Sequence, residues 1–217
     1  MAAPIAHIFL AVHMLAGPLH NLFDEKEFIR GTSFPDIRYL KCVERAQTHF
    51  ENVTLDDVKK EKNSFKAGML FHSFVDEQRE KYIVEHKIYD KLPQFRFTTQ
   101  ALKFAEDKLL MSLFNIQKYK SYFDGLIDAE RAYNISDEHI KMWHTFLQKY
   151  FNGSLSTHDL MMNYFDINEP DAWSIKRWFF SWYYARKINA VIENIVKDNE
   201  IKEPLLRFYL NFVEYAE

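Results

Sequence analysis

The chain has 217 residues, 47% of them apolar and 27% charged, with a formal net charge of −3 at pH 7. That composition is globular and long enough for a substantial core. It excludes the basic surface of a nucleic-acid binder, because the richest basic stretch, Lys59-Lys60-Glu61-Lys62, is offset by Asp56 and Asp57. The single cysteine, Cys42, excludes an internal disulfide and a cysteine-based zinc cluster, and is compatible with a reducing compartment. The apolar stretch from Pro4 to Leu19 has no basic leader and is interrupted by His7, His13 and His20, so it does not read as a signal peptide. No run approaches the roughly 18 apolar residues of a membrane span. The expectation is a cytoplasmic protein without a transmembrane segment, or one exported by a route with no readable N-terminal signal.

Only 5 Gly and 6 Pro are present, too few turn residues for a sheet protein of this length. Helix signals instead follow one another closely. Residues 5–16 are apolar and stop at Gly17-Pro18. Asp24 caps a short helix that ends at Gly31, and residues 32–40 read as an ordered loop, since Pro35 disfavours helix at Phe34. Thr54 with Asp57 three residues on resembles a capping box. A long helix is predicted over 63–90, another from Thr98 or Thr99 to about 115, and a third over 119–132. Ser136 starts a helix that ends near Asn152-Gly153, and Ser156 caps a short one. Asn168-Glu169-Pro170 opens a helix to about 197, and Pro204 opens the last. No repeat or linker divides the chain. The prediction is an all-α fold, a single-domain multi-helix bundle over residues 1–217.

Five residues suggest chemistry: His7, Asp36, His49, His72 and Asp76. Within an unbroken helix, a spacing of four places His72 and Asp76 on one face, one turn apart. An imidazole and a carboxylate so placed can grip one cation. The chain has three such His-x-x-x-Asp pairs, so spacing alone does not select one. Context does. His72 and Asp76 lie among Met69, Leu70, Phe71, Phe74 and Val75, where a carboxylate is costly to bury unless paired or metal-bound. Asp24 of the His20/Asp24 pair is explained as a cap. His86/Asp90 lies among Glu85, Lys87 and Lys91, and a 14-residue separation puts His86 roughly 21 Å from His72 along one helix. Asp36 follows a proline in a loop, His49 follows Thr48 in a polar segment, and His7 is a histidine inside an apolar helix. The alternative for the five is a set of buried histidines bonded to carboxylates without metal.

Four pieces of the first third resemble the zinc-dependent phospholipase C family, related to the S1/P1 nucleases. They are Ala6-His7-Ile8-Phe9-Leu10-Ala11, Gly31-Thr32-Ser33-Phe34-Pro35-Asp36-Ile37, Thr48-His49-Phe50, and the stretch from Phe65 through His72 to Asp76. Their order follows that family's His…Pro-Asp…His…His-x-x-x-Asp over about residues 4–80. The resemblance implies an all-α fold and a phosphate-ester hydrolase, with phospholipid as the suggested substrate. It implies that Asp36, His49, His72 and Asp76 hold one zinc, and that Asp76 bridges to a second zinc also bound by His7. The chain departs from the family elsewhere. Met1 stands too close to His7 to supply the family's N-terminal amine ligand, and Tyr82 stands where the next histidine would fall. One or two metal ions are therefore expected, zinc first, with manganese or iron as substitutes.

A metal held by mixed nitrogen and oxygen ligands activates water near neutral pH. Asp76 is the central catalytic candidate. Arg79, three residues beyond Asp76, is read as a clamp on a phosphate or carboxylate oxygen, and Arg38 as a second such residue; the alternative for both is an ion pair away from substrate. Glu106 and Asp107 are expected to form a surface acidic pair near Lys103 and Lys108, although one pointing inward would add a ligand. The aromatic stretch Trp173–Tyr184 reads as a buried helix, with contact to a lipid surface or a partner as the alternative. Two rival functions remain at this stage. One is an HD-type nucleotide phosphohydrolase, whose adjacent His-Asp pair occurs at His158-Asp159. The other is a non-enzymatic helical interaction protein with a structural or vestigial metal site.

Overall fold

The computed structural model describes the backbone of residues 2–163 and 175–216 and the side chains of residues 2–160 and 182–216. The described residues form helices and turns with no strand, as the scarcity of turn residues predicts. In chain order the helices are α1 (Pro4–Ala16), α2 (Glu25–Ser33), α3 (Arg45–Thr48), α4 (Leu55–Lys60), α5 (Ser64–Glu85), α6 (Thr98–Met111), α7 (Asp128–Arg131), α8 (Asp137–Phe151), α9 (Thr157–Asn163), α10 (Ile175–Lys197), α11 (Asn199–Leu210) and α12 (Phe212–Ala216). Segments of 3-10 helix cover Phe34–Leu40, Tyr89–Lys91 and Ile116–Phe123. One continuous apolar core runs from Ala2 to Phe212. No described helix is long and apolar enough to cross a membrane.

Most predicted helix starts are made by the predicted side chains. Asp24 accepts from the Glu27 amide at 2.8 Å, Thr54 from the Asp57 amide at 3.2 Å, Ser136 from the His139 amide at 3.3 Å and Ser156 from the Asp159 amide at 3.1 Å. Each satisfies a backbone donor that the first helical turn leaves without an internal partner.

Several boundaries differ from expectation. Residues 32–40 are not a loop: α2 continues to Ser33 and passes into 3-10 helix at Phe34. Pro35 is tolerated because it occupies the first turn of that segment, where its missing N–H is not needed. The predicted helix over 119–132 divides into a 3-10 segment and the short α7, broken at Gly125, whose φ is +71°. The long helix ends at Glu85, and Lys87 follows with φ +53°. Thr98 does not occupy the cap position of α6; its hydroxyl donates to the Pro93 carbonyl and accepts from the Phe95 amide. Pro204 does not open the last helix but lies inside α11, which Asp198 caps. A proline there leaves the carbonyl four residues back without its helical donor. That carbonyl, of Glu200, accepts instead from Lys91 Nζ at 3.1 Å.

The crossing of α2 and α5 positions the site. A Cβ added at Gly31 would stand 1.9 Å from the Phe65 carbonyl oxygen, and one at Gly68 would stand 2.1 Å from that of Phe28. The two helices therefore approach backbone to backbone, with one glycine on each. Gly31 serves this contact rather than ending α2, which is why the helix runs past it. The approach brings the α2 carbonyl of Thr32 within reach of His72 on α5.

Candidate metal centre

His7 comes from α1, Asp36 from the 3-10 segment after α2, His49 from the residue after α3, and His72 and Asp76 from α5. All five are buried, with relative exposures of 1% (His7), 4% (Asp36), 8% (His49), 1% (His72) and 7% (Asp76). They converge. Ligand atoms of His7, His72 and Asp76 lie within 4.8 Å of one another, and so do those of Asp36, His49 and His72. His7 Nε2 is 3.2 Å from Asp76 Oδ1, a hydrogen-bond separation without hydrogen-bond alignment. His72 Nε2 is 3.6 Å from Asp76 Oδ2, and His49 Nε2 is 4.0 Å from Asp36 Oδ1. The His7 and His72 rings stack at 3.9 Å, and His49 meets His72 edge-on at 4.9 Å.

Neighbouring groups fix which nitrogen faces inward. His72 Nδ1 lies 2.9 Å from the Thr32 carbonyl oxygen. A carbonyl only accepts, so Nδ1 carries the proton and the neutral ring presents the Nε2 lone pair to the cluster. His49 Nδ1 lies 3.1 Å from Thr48 Oγ1, whose single hydrogen points to the Pro35 carbonyl at 3.2 Å. With that hydrogen on the carbonyl, the hydroxyl accepts from Nδ1–H, the arrangement in which His49 too offers a lone pair on Nε2. The Phe50 amide donates to Ser73 Oγ at 3.0 Å, which fastens the His49 segment to α5.

The start of the chain is held from two sides. Asp76 Oδ1 accepts from the Ala2 amide at 2.6 Å. No side chain of α1 caps its own N-terminus. Asp107 on α6 does so, accepting from the Ile5 amide at 3.2 Å, the Ala6 amide at 2.8 Å and the Tyr150 hydroxyl at 2.9 Å. This cap, supplied from about a hundred residues away, sets the turn that carries His7.

Electrostatics and polar accounting agree on the character of the cluster. Burial, reinforced by His7, pushes the His72 imidazole well below its ordinary pKa, and burial with nearby Arg45 brings His49 down to about 3. Burial works to raise Asp76, but the imidazoles, His72 foremost, outweigh it and hold the carboxyl well below its usual value. Burial and then Asp76 raise Asp36. Neutral imidazoles, as these shifts favour at His49 and His72, are the form that ligates a metal. Among the described residues, His7 Nδ1, His49 Nε2, His72 Nε2 and Asp36 Oδ1 are buried without a hydrogen-bond partner. Each such atom costs about 1–3 kcal/mol, and the three that converge, on His49, His72 and Asp36, form a donor set of nitrogen and oxygen that fits a divalent cation.

The other predicted site residues are placed differently. Arg79 is not aimed at substrate: its guanidinium is buried and grips Glu106 through Nε at 3.0 Å and Nη2 at 2.7 Å. Burial disfavours its charge, and Glu106 more than compensates, raising its pKa. Glu106 and Asp107 are not a surface pair; they are 1% and 2% exposed, one engaged by Arg79 and the other by the end of α1. The signal was present, because Leu102, Ala105, Glu106 and Leu109 have the i, i+3, i+4, i+7 spacing of a buried face. Arg38 does lie beside the cluster. Its Nε is 4.0 Å from Asp36 Oδ1, and its guanidinium covers the Tyr39 ring at 4.3 Å. In His158-Asp159, Asp159 accepts from the Ser156 amide and hydroxyl at the start of α9, outside the cluster. Most of the aromatic stretch 173–184 falls outside the described side chains; Trp182 and Tyr183 are exposed.

Two openings reach the cluster. A groove of about 420 Å³ includes His49, Asp76 and Ser73 in its walls, with Glu51, Glu77 and Glu80 facing Arg45. A smaller cavity, about 50 Å³, touches Asp36. No family model, no curated protein and no solved structure matches this chain.

Proposed function

We propose that the protein is a metal-dependent hydrolase of a phosphate ester, with His7, Asp36, His49, His72 and Asp76 holding one or two divalent ions, zinc first. One observation carries the reading: buried side chains from four parts of the fold converge, and ligand atoms of His7, Asp36, His49 and His72 are left without hydrogen-bond partners beside Asp76. A purely structural polar cluster would pair these atoms with one another.

A bound zinc supplies Lewis acidity, lowering the pKa of a coordinated water towards roughly 7 and polarising a phosphoryl oxygen. The chain's own groups do the rest. Thr32 and Thr48 fix the imidazole tautomers so that lone pairs face the centre. His72 is common to the two ligand groups, and Asp76 faces His7 with one oxygen and His72 with the other. The groove at His49 and Asp76 gives water access from solvent, which favours an open catalytic centre over a closed structural one. Phospholipid is the substrate that the phospholipase C resemblance suggests, and peripheral contact with a lipid surface would then follow.

The test is hydrolysis of a chromogenic phosphodiester by zinc-loaded protein. Turnover that is lost on chelation and in Asp76→Ala supports the hydrolase. Stoichiometric metal with no turnover on mono- or diesters would overturn it and leave a structural site.

A further inference from the structure

We infer that Lys103 on α6 is the substrate-gripping cation of this centre, holding an oxyanion of a phosphate ester in the small cavity beside Asp36. The inference deepens the hydrolase reading and rests on it.

Lys103 lines the 50 Å³ cavity together with Asp36 and Tyr39, against an apolar wall that includes Ala3, Phe104 and Trp143. By the space one water needs, the cavity has room for roughly three to five water-sized atoms. That is the scale of a phosphoryl group; a ring system or an acyl chain is too large. Lys103 has no hydrogen bond or ion pair among the described residues, although it lies in the field of Asp36, Asp76 and Glu106. Glu106, one turn away, is engaged by Arg79 through both carboxylate oxygens. Burial disfavours the ammonium, so a ligand that restores its charge is favoured there.

Charge balance indicates the sign of that ligand. Asp36, Asp76 and Glu106 face Arg38, Arg79 and Lys103, three carboxylates against three cations. A divalent ion adds two positive charges to this set. Even with Asp107 ionised, the centre remains positive until an anion enters. The two openings share no lining residue, and they differ in sign. The larger groove carries Glu51, Glu77 and Glu80 against Arg45 alone and repels an oxyanion, whereas the cavity presents Lys103. A phosphoryl oxygen is therefore seated on the Lys103 side of Asp36, and the Arg79 role expected from sequence passes to Lys103.

The experiment is titration of inorganic phosphate into the zinc-loaded full chain, wild type and Lys103→Met, by calorimetry, with metal content measured on the same samples. The expected result is phosphate binding that requires zinc and weakens about tenfold or more in Lys103→Met at unchanged zinc content, with Lys103→Arg retaining most of it. If Lys103→Met loses its thermal unfolding transition, Lys103→Gln replaces it under the same expectation. Equal phosphate affinity in the variant overturns the Lys103 assignment while leaving the metal reading standing. Loss of zinc together with phosphate also overturns it, making Lys103 a structural residue. Failure of the wild type to hold zinc removes the metal reading itself, and the assignment with it.

Discussion

The protein buries two histidine–carboxylate groupings, and they are built in opposite ways. In the first, Glu130 Oε1 meets His144 Nε2 at 2.7 Å, while Oε2 accepts from Arg30 at 3.3 Å and from the Ile127 amide at 3.0 Å. Arg30 uses its remaining donors on the carbonyls of Tyr122, Asp124 and Gly125. No buried side-chain atom of this trio lacks a partner. In the second, the imidazoles of His7, His49 and His72 face the carboxylates of Asp36 and Asp76 with ring nitrogens left over. The first grouping is closed and binds loops and helices together. The second is held open by outside groups, Thr32, Thr48 and Asp107, which orient its members without saturating them. Burial and composition are alike in both; the satisfaction of individual atoms separates a brace from a binding site.

Breaking the closed grouping should have the largest effect on stability. Glu130→Ala leaves Arg30 and His144 without their shared carboxylate, and a loss of about 3–5 kcal/mol is expected in denaturant unfolding; a loss below about 1 kcal/mol would contradict the closed description. Next comes the crossing that orients His72. Gly68→Ala places a Cβ against the α2 backbone, and about 1–3 kcal/mol should be lost, with weaker metal uptake in the protein that remains folded. The open grouping should respond in the other direction. Asp36→Asn in metal-free protein removes a buried carboxylate whose Oδ1 has no hydrogen-bond partner, so stability should rise by about 1 kcal/mol while metal affinity falls. A marked fall in metal-free stability would show that the cluster braces the fold.

The smallest effect concerns pH. Burial, against the pull of the Ala6 and Ile5 amides and the Tyr150 hydroxyl, raises Asp107 from 3.8 to about 7. The folded chain then keeps a proton that the unfolded chain has released, so this group's stabilisation is full below about 3.8 and is lost as pH rises through about 7. His49 works in the opposite sense, since its folded pKa is depressed and its contribution grows as pH rises towards 6.5. Comparing the stability–pH profiles of wild type and Asp107→Asn isolates the Asp107 slope, which should vanish in the variant.

Sequence reasoning reached the open grouping more readily than the closed one. A histidine and an aspartate four apart within Met69–Asp76 stand out because buried polar residues on an apolar helix need a reason. The helix caps were legible for the same reason, each being a local contact of a few residues. What local pattern does not carry is partnership across the chain. Glu106 finds Arg79 and Glu130 finds Arg30, pairings 27 and 100 residues apart. Gly31 reads as a stop signal until α5 is seen against it, and Pro204 reads as a start until Lys91 is seen at the carbonyl it leaves free. Lys103 gives no signal at all in sequence, because its significance is the cavity it shares with Asp36.

The most direct measurement is elemental analysis of the full chain purified without chelators, for wild type and Asp76→Ala side by side. The proposed metal centre predicts one or two equivalents of zinc, manganese or iron in the wild type, lost or sharply reduced in a variant that still unfolds cooperatively. A wild type that carries no metal and takes up none on addition would contradict the metal centre and leave five buried polar residues in need of another partner.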